Sequence, residues 1–156
     1  MSADRPNRWP WPPILFGTAA LAAWLGGRAL SLPWPEAPAL AALGWAMIGA
    51  GLALDGWAMA EMARRRANIL PHRAATALVT TGPFAWSRNP IYLGNTIALA
   101  GCALAFRNPL FLAAAAGAAA AVTRLAIRRE EAHLAARFGA DWAAYAARTR
   151  RWLGRR

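Results

Sequence analysis

Lysine is missing: all 18 basic residues are arginine. A single cysteine, Cys102, excludes an intramolecular disulfide and a cysteine zinc cage. Two histidines, His72 and His133, are too few for most histidine-based metal sites. Charged residues are only 16% of the chain, while the apolar set AVILMFWYC makes up 58% and mean hydropathy is +0.24. That composition excludes a basic disordered tail. It also argues against a nucleic-acid-coating protein, in spite of a net charge of +11. There is no phosphate loop, no G-x-S-x-G elbow and no nucleotide-binding β-α-β pattern. With 156 residues, one domain spanning 1–156 is expected. What remains is a small, all-α integral membrane protein.

Four apolar stretches carry that reading: Ile14–Leu30, Ala37–Ala60, Ile91–Phe106 and Leu110–Ile127. A spanning helix needs about 20 residues, so about four transmembrane helices are predicted. A buried helix of a soluble bundle is the competing reading for each. The first stretch could also serve as the apolar part of a signal peptide after Arg5 and Arg8. Pro10, Pro12 and Pro13 fit an interfacial helix start better. Arginine placement sets orientation. Arg5 and Arg8 precede the first stretch, five arginines lie between the second and third, and nine run from Arg124 onward. Only Arg28 and Arg107 fall on the other side. The positive-inside rule then puts both termini and the 61–90 loop in the cytoplasm, of a bacterial-type inner membrane. Trp9, Trp11, Trp34 and Trp152 sit near the expected interfaces. The excess charge reads as a signal for topology and anionic lipid.

Phe106-Arg107-Asn108-Pro109 reads as a turn between the third and fourth helices. The fourth helix meets no breaker from Pro109 to Phe138. Glu130, roughly 32 Å along it at 1.5 Å per residue, emerges at the face where Arg88-Asn89-Pro90 opens the third. Gly139 should break the helix, and Asp141 could cap a short cytoplasmic helix through Tyr145 to Arg148.

Two polar clusters therefore meet at one face. The first is Thr81-Gly82-Pro83-Phe84-Ala85-Trp86-Ser87-Arg88-Asn89-Pro90-Ile91-Tyr92-Leu93-Gly94. Gly82-Pro83 is a turn signal, and Gly94 permits close approach of a ligand or a helix. Arg88 and Tyr92, four apart, share a face if the helix starts early enough. The second cluster is Arg128-Arg129-Glu130-Glu131-Ala132-His133-Leu134, followed by Arg137-Phe138-Gly139, Trp142, Tyr145 and Arg148. Adjacent carboxylates at a membrane boundary must be solvated or paired. Arg128 and Arg129 could pair them as surface ions, or one carboxylate could hold a ligand. Glu130-x-x-His133 has the spacing of a di-iron ligand pair, but the chain lacks the second motif such a site requires, so no metal is expected. Asp55 could line a pocket or reach the interface. Gly49-Ala50-Gly51 reads as helix packing.

G-P-F-x-x-S-R-N-P-I-Y-L-G at 82–94 resembles the first signature of the isoprenylcysteine carboxyl methyltransferase and phospholipid N-methyltransferase superfamily of small membrane enzymes. R-R-E-E-x-x-L-x-x-x-F-G-x-x-W-x-x-Y-x-x-R at 128–148 resembles the second. The resemblance covers about residues 45–153. It implies an S-adenosylmethionine (SAM) site at the cytoplasmic ends of the last two transmembrane helices. By that resemblance Gly82, Pro83, Phe84, Arg88, Asn89, Pro90, Tyr92, Gly94, Glu130, Glu131, Leu134 and Tyr145 bind the cofactor. Arg88, Asn89, Tyr92 and Arg148 become the catalytic candidates, with Tyr145 and Arg148 closing the pocket. The isoprenylcysteine enzymes read Arg-His-Pro where this chain has Arg88-Asn89-Pro90. Asn-Pro-x-Tyr-x-Gly is nearer the phospholipid form, and an asparagine is no base near neutral pH.

The resulting expectation is methyl transfer from SAM to a lipophilic acceptor that enters from the bilayer. The acceptor is a phospholipid amine or the carboxylate or thiol of a lipid-like molecule, and neither nucleic acid nor metal takes part. A non-enzymatic four-helix scaffold that binds anionic lipid or a partner protein is the alternative. Adjacent helical residues point about 100° apart, so only one of Glu130 and Glu131 should face the cofactor. Glu131 is favoured, because Arg129 and His133 lie near the face of Glu130.

Overall fold

The computed structural model describes residues 11–30, 32–67 and 76–155. Arg5, Arg8, Trp9, Pro10, His72 and Arg73, used above for topology and composition, lie outside the described residues. Most of the described chain is helical. Helix α1 spans Trp11–Ala29, α2 Pro38–Arg64, α3 Pro90–Ala105, α4 Leu110–Val122 and α5 Arg128–Arg148. A 3₁₀ turn, Gly82–Ala85, precedes α3, and a π-helical segment, Thr123–Ile127, joins α4 to α5.

Proline sets three of the helix starts. Pro12 and Pro13 occupy the first turn of α1, and Pro38 and Pro90 open α2 and α3. There the missing N–H is no loss and φ is already near the helical value. The α3–α4 turn forms where it was expected. Asn108 locks it: its Oδ1 accepts the Leu110 N–H at 3.0 Å, while its Nδ2 donates to the Ala23 carbonyl of α1 at 2.8 Å.

The most extensive interface joins α2 to α3, and it is a glycine seam. Gly44 and Gly51 of α2 face Gly101 and Gly94 of α3, seven residues apart on each helix. A Cβ on Gly101 would stand 2.7 Å from the Gly44 carbonyl oxygen, and one on Gly94 would stand 2.6 Å from that of Gly51. The backbones therefore touch directly, as small residues allow in membrane helices. The second interface packs α1 on α4. Phe16, Ala23, Leu99, Phe111, Ala115, Ala118, Val122 and Ile127 form the core between α1, α3 and the α4–π segment.

Among the described residues two helices are long and apolar enough to cross a membrane: Pro38–Arg64 and the continuous 39-residue helix Leu110–Arg148. Of the apolar window of α2, only 11% is buried by protein. A core helix of a soluble bundle would be covered, whereas Leu43, Trp45, Leu52 and Trp57 stay exposed along α2. Helix α3, with 16 residues, is shorter.

The long helix passes through two irregularities. Gly139 has φ 48° and ψ −116° inside α5, so the break expected there is a kink and the helix resumes. The π segment has no counterpart in the sequence pattern. No glycine or proline marks it, and Thr123 donates to the Ala119 carbonyl at 2.7 Å just where it begins. Segments of this kind often adjoin functional sites.

Candidate active site

Arg88 does not lie on α3. The helix begins at Pro90, so Arg88 and Tyr92 do not share a helical face; each reaches a different member of the glutamate pair on α5. Arg88 Nη2 lies 3.0 Å from Glu131 Oε1, with only 10% and 14% of the two side chains exposed. Arg151 closes on the same carboxylate from beyond α5, donating Nε to Oε1 at 3.0 Å and Nη2 to Oε2. Glu131 is thus held by two guanidinium groups, one bidentate, the strongest geometry for such a pair. Its hydrogen bond holds the Arg151 guanidinium above the usual arginine range. Arg88 is fixed further by the Ala146 carbonyl at 3.3 Å and by the Trp142 ring, 5.6 Å from its guanidinium carbon.

The chain after α5 doubles back to secure this arrangement. Thr149 and Arg155 form an antiparallel bridge. The Arg88 N–H donates to the Arg150 carbonyl at 3.0 Å, and the Gly154 N–H donates to the Trp86 carbonyl at 2.8 Å. Asn89 Nδ2 donates to the Arg151 carbonyl at 3.0 Å, and its own N–H goes to the Ser87 hydroxyl. Tyr145 donates its hydroxyl to the Phe84 carbonyl at 2.8 Å. Burial raises the Tyr145 phenol above its ordinary range. Residues 84–89 are therefore clasped by α5 and the segment behind it.

Glu130 has a different environment. The Tyr92 hydroxyl donates to its Oε1 at 2.9 Å. Lying past the apolar run that ends at Ile127, this carboxyl has no arginine within ion-pair distance among the described residues. Burial pushes its pKa up to about 7, with the neighbouring Glu131 charge adding to the rise and the Tyr92 hydrogen bond opposing it. Two buried nitrogens near this junction lack hydrogen-bond partners: Arg88 Nε and, one turn from Glu130 on α5, His133 Nε2. Arg128 and Arg129 are exposed and do not pair with the glutamates.

The remaining sequence candidates are distributed around this centre. Gly82, at φ +59°, turns the chain over Glu61 of α2, which accepts the Thr81 hydroxyl. Pro83 and Pro90 are buried. Gly94 faces α2, where its missing side chain makes room for the Asp55 carboxylate and the Gly51 backbone. Leu134 is half-buried and Arg148 exposed. Sequence reasoning missed Arg151. Arg151 is one of several arginines after the kink, and nothing in its spacing separates it from Arg148 or Arg150. Among the described residues no cluster of His, Cys, Asp or Glu could hold a metal ion.

The family model for PEMT, described as phospholipid methyltransferase, matches residues 39–141 of this chain. That range runs from the first turn of α2 past both glutamates to the kink in α5. No curated protein matches the chain.

Proposed function

We propose that this chain, which belongs to the phospholipid methyltransferase family, is an integral membrane methyltransferase that uses SAM. In this reading it binds the cofactor where α3 meets α5 and methylates a lipophilic acceptor arriving from the bilayer. In this reading α1, α2, the shorter α3 and the α4–α5 rod each cross the bilayer, with both termini on the site's side in the cytoplasm.

One observation carries the reading: Tyr92 and Glu130, 38 residues apart, meet through a hydrogen bond beside the Arg88–Glu131 pair. The donor set fits the cofactor. Glu130 keeps acceptor capacity after its one bond from Tyr92, which suits a ribose diol or an ammonium group. Arg88 Nε and His133 Nε2 are buried nitrogens with no protein partner, as expected of groups awaiting a ligand. When bound, SAM supplies an electrophilic methyl group on a sulfonium.

The protein's part is then mainly alignment, because displacement at a methyl carbon needs an in-line approach more than a strong base. Glu130 binds the cofactor, with Tyr92 orienting its carboxylate. Glu131 holds Arg88 and Arg151, and through them keeps the 84–89 segment against α5. Trp142 and Tyr145 cover that segment and keep water from it.

The test is to incubate the purified chain with methyl-labelled SAM and a lipid extract, then identify the labelled product. Label in a lipid fraction, lost in Glu130→Gln, supports the reading. A chain that binds no SAM and labels nothing would instead be a membrane scaffold.

A further inference from the structure

We propose that the cleft at the opposite end of the bundle binds the phosphodiester of an anionic phospholipid, in the leaflet away from the Arg88–Glu131 site. This cleft, of about 320 Å³, lies between the last turn of α1 and the α3–α4 turn, and Trp24, Arg28, Phe106, Arg107 and Asn108 are among the residues that line it. It shares no residue with the site described above, and the inference requires only that the helices cross a bilayer.

Charge is the first ground. Of the 18 arginines, 16 fall in the stretches before α1, between α2 and α3, and from Arg124 onward. Arg28 and Arg107 are the two exceptions, and both line this one cleft. Arg28 stacks over the Trp24 ring at 5.1 Å. Arg107 has Glu36 at 3.8 Å, but that carboxylate is 85% exposed and the contact is a loose surface pair. Two guanidinium groups facing one cleft offer the forked donors that phosphate oxygens match.

Backbone geometry is the second ground. Arg107 has φ 53°, in the left-handed region where glycine or asparagine fits at less cost. Arg66 ends α2 in the same way, at φ 52°, so this is the left-handed turn that commonly closes a helix, and here it carries Arg107 to the mouth of the cleft. The frame beneath it is rigid. Asn108, next in sequence to Arg107, is buried and bonded to the Ala23 carbonyl of α1. It occupies the space a side chain on Gly27 would need, 2.6 Å from Asn108 Cγ to that hypothetical Cβ. Gly27 precedes Arg28. The lock between Gly27 and Asn108 therefore fixes the spacing of the two arginines.

The third ground is the rim. Trp24, Leu30, Leu32 and Phe106 are exposed around the cleft. Arginines beside apolar side chains at a helix end suit a lipid with its phosphate in the cleft and its chains along the bundle.

The experiment titrates the purified full chain with phosphatidylglycerol and, in parallel, phosphatidylcholine, reading bound lipid by native mass spectrometry. Phosphatidylglycerol should bind at least tenfold more tightly. Arg28→Gln and Arg107→Gln should each weaken it about fivefold or more, while Arg129→Gln, at the other end, should not. Arg107→Gly should keep or raise the melting temperature by relieving the backbone, yet weaken lipid binding like Arg107→Gln. Unchanged binding in both cleft variants, or an equal loss in Arg129→Gln, would overturn the proposal. So would full displacement of the lipid by inorganic phosphate at equal concentration, which would make the site one for a soluble anion.

Discussion

Glu130 and Glu131 are separated by one peptide bond and, among the described residues, share no arginine. Their angular separation on a helix predicts a division of labour, and the positions of Arg129 and His133 favour Glu131 as the ligand. The contacts support the opposite assignment in the proposed reading: Glu131 is spanned by Arg88 and Arg151, while Glu130 takes one bond from Tyr92. A helical wheel cannot contain Arg151, which reaches back from beyond the Gly139 kink. Glu131→Gln should therefore act on folding. Leaving two arginines facing a neutral amide in a largely buried pair costs about 3 kcal/mol, measurable as a lower midpoint in thermal or denaturant unfolding. Glu130→Gln should unfold at nearly the wild-type midpoint and bind SAM about tenfold to a hundredfold more weakly, since a charge-assisted hydrogen bond is worth about 1.5–3 kcal/mol. Calorimetry on both variants checks the pair. Glu130 also sets a pH dependence. Its folded pKa of about 7 lies above the ordinary glutamate value of 4.5, so between those limits the folded chain holds a proton that the unfolded chain has released. The group's contribution to stability falls as pH rises through that window. Binding of a cationic ligand favours the carboxylate, so SAM affinity should rise with pH from about 5 to above 7. Titration in buffers of differing ionisation enthalpy should record proton release near pH 6, absent in Glu130→Gln.

Helices were legible because apolar runs and prolines mark them. All four apolar stretches predicted from the sequence are helical: the first three have ends shifted by a few residues, the fourth runs on without interruption to Arg148, and the turn at Asn108 forms where Pro109 requires it. The π segment was not legible, because neither glycine nor proline marks it and its residues continue the apolar helical run. The pairing of α2 with α3 was half legible. Gly49-Ala50-Gly51 reads as packing, yet only Gly51 packs; a Cβ added to Gly49 would meet nothing within 4 Å. That contrast is testable. Gly94→Ala would drive a methyl into the Gly51 carbonyl oxygen and the Asp55 carboxylate and should abolish stable folding, seen as loss of a monodisperse species in detergent. Gly49→Ala should be neutral or slightly stabilising, since alanine is the better helix former.

For the molecule as a whole, hydropathy and the asymmetry of arginine already separate a membrane chain from a soluble basic one, and the exposed apolar face of α2 agrees. Orientation is open to a direct check. A reporter fused after Arg156 should read cytoplasmic and one inserted at Ala37 external; an external C-terminal reporter would take the glutamates away from the compartment that holds SAM. The glycine seam bears on traffic through the structure. A gap between helices usually widens when a bulky side chain swings aside, but where Gly44 and Gly51 meet Gly101 and Gly94 the backbones themselves are in contact. Mechanically α2 and α3 form one plank. In the proposed reading a lipid acceptor reaches Glu130 along another edge, and cross-links placed across this seam should leave turnover untouched.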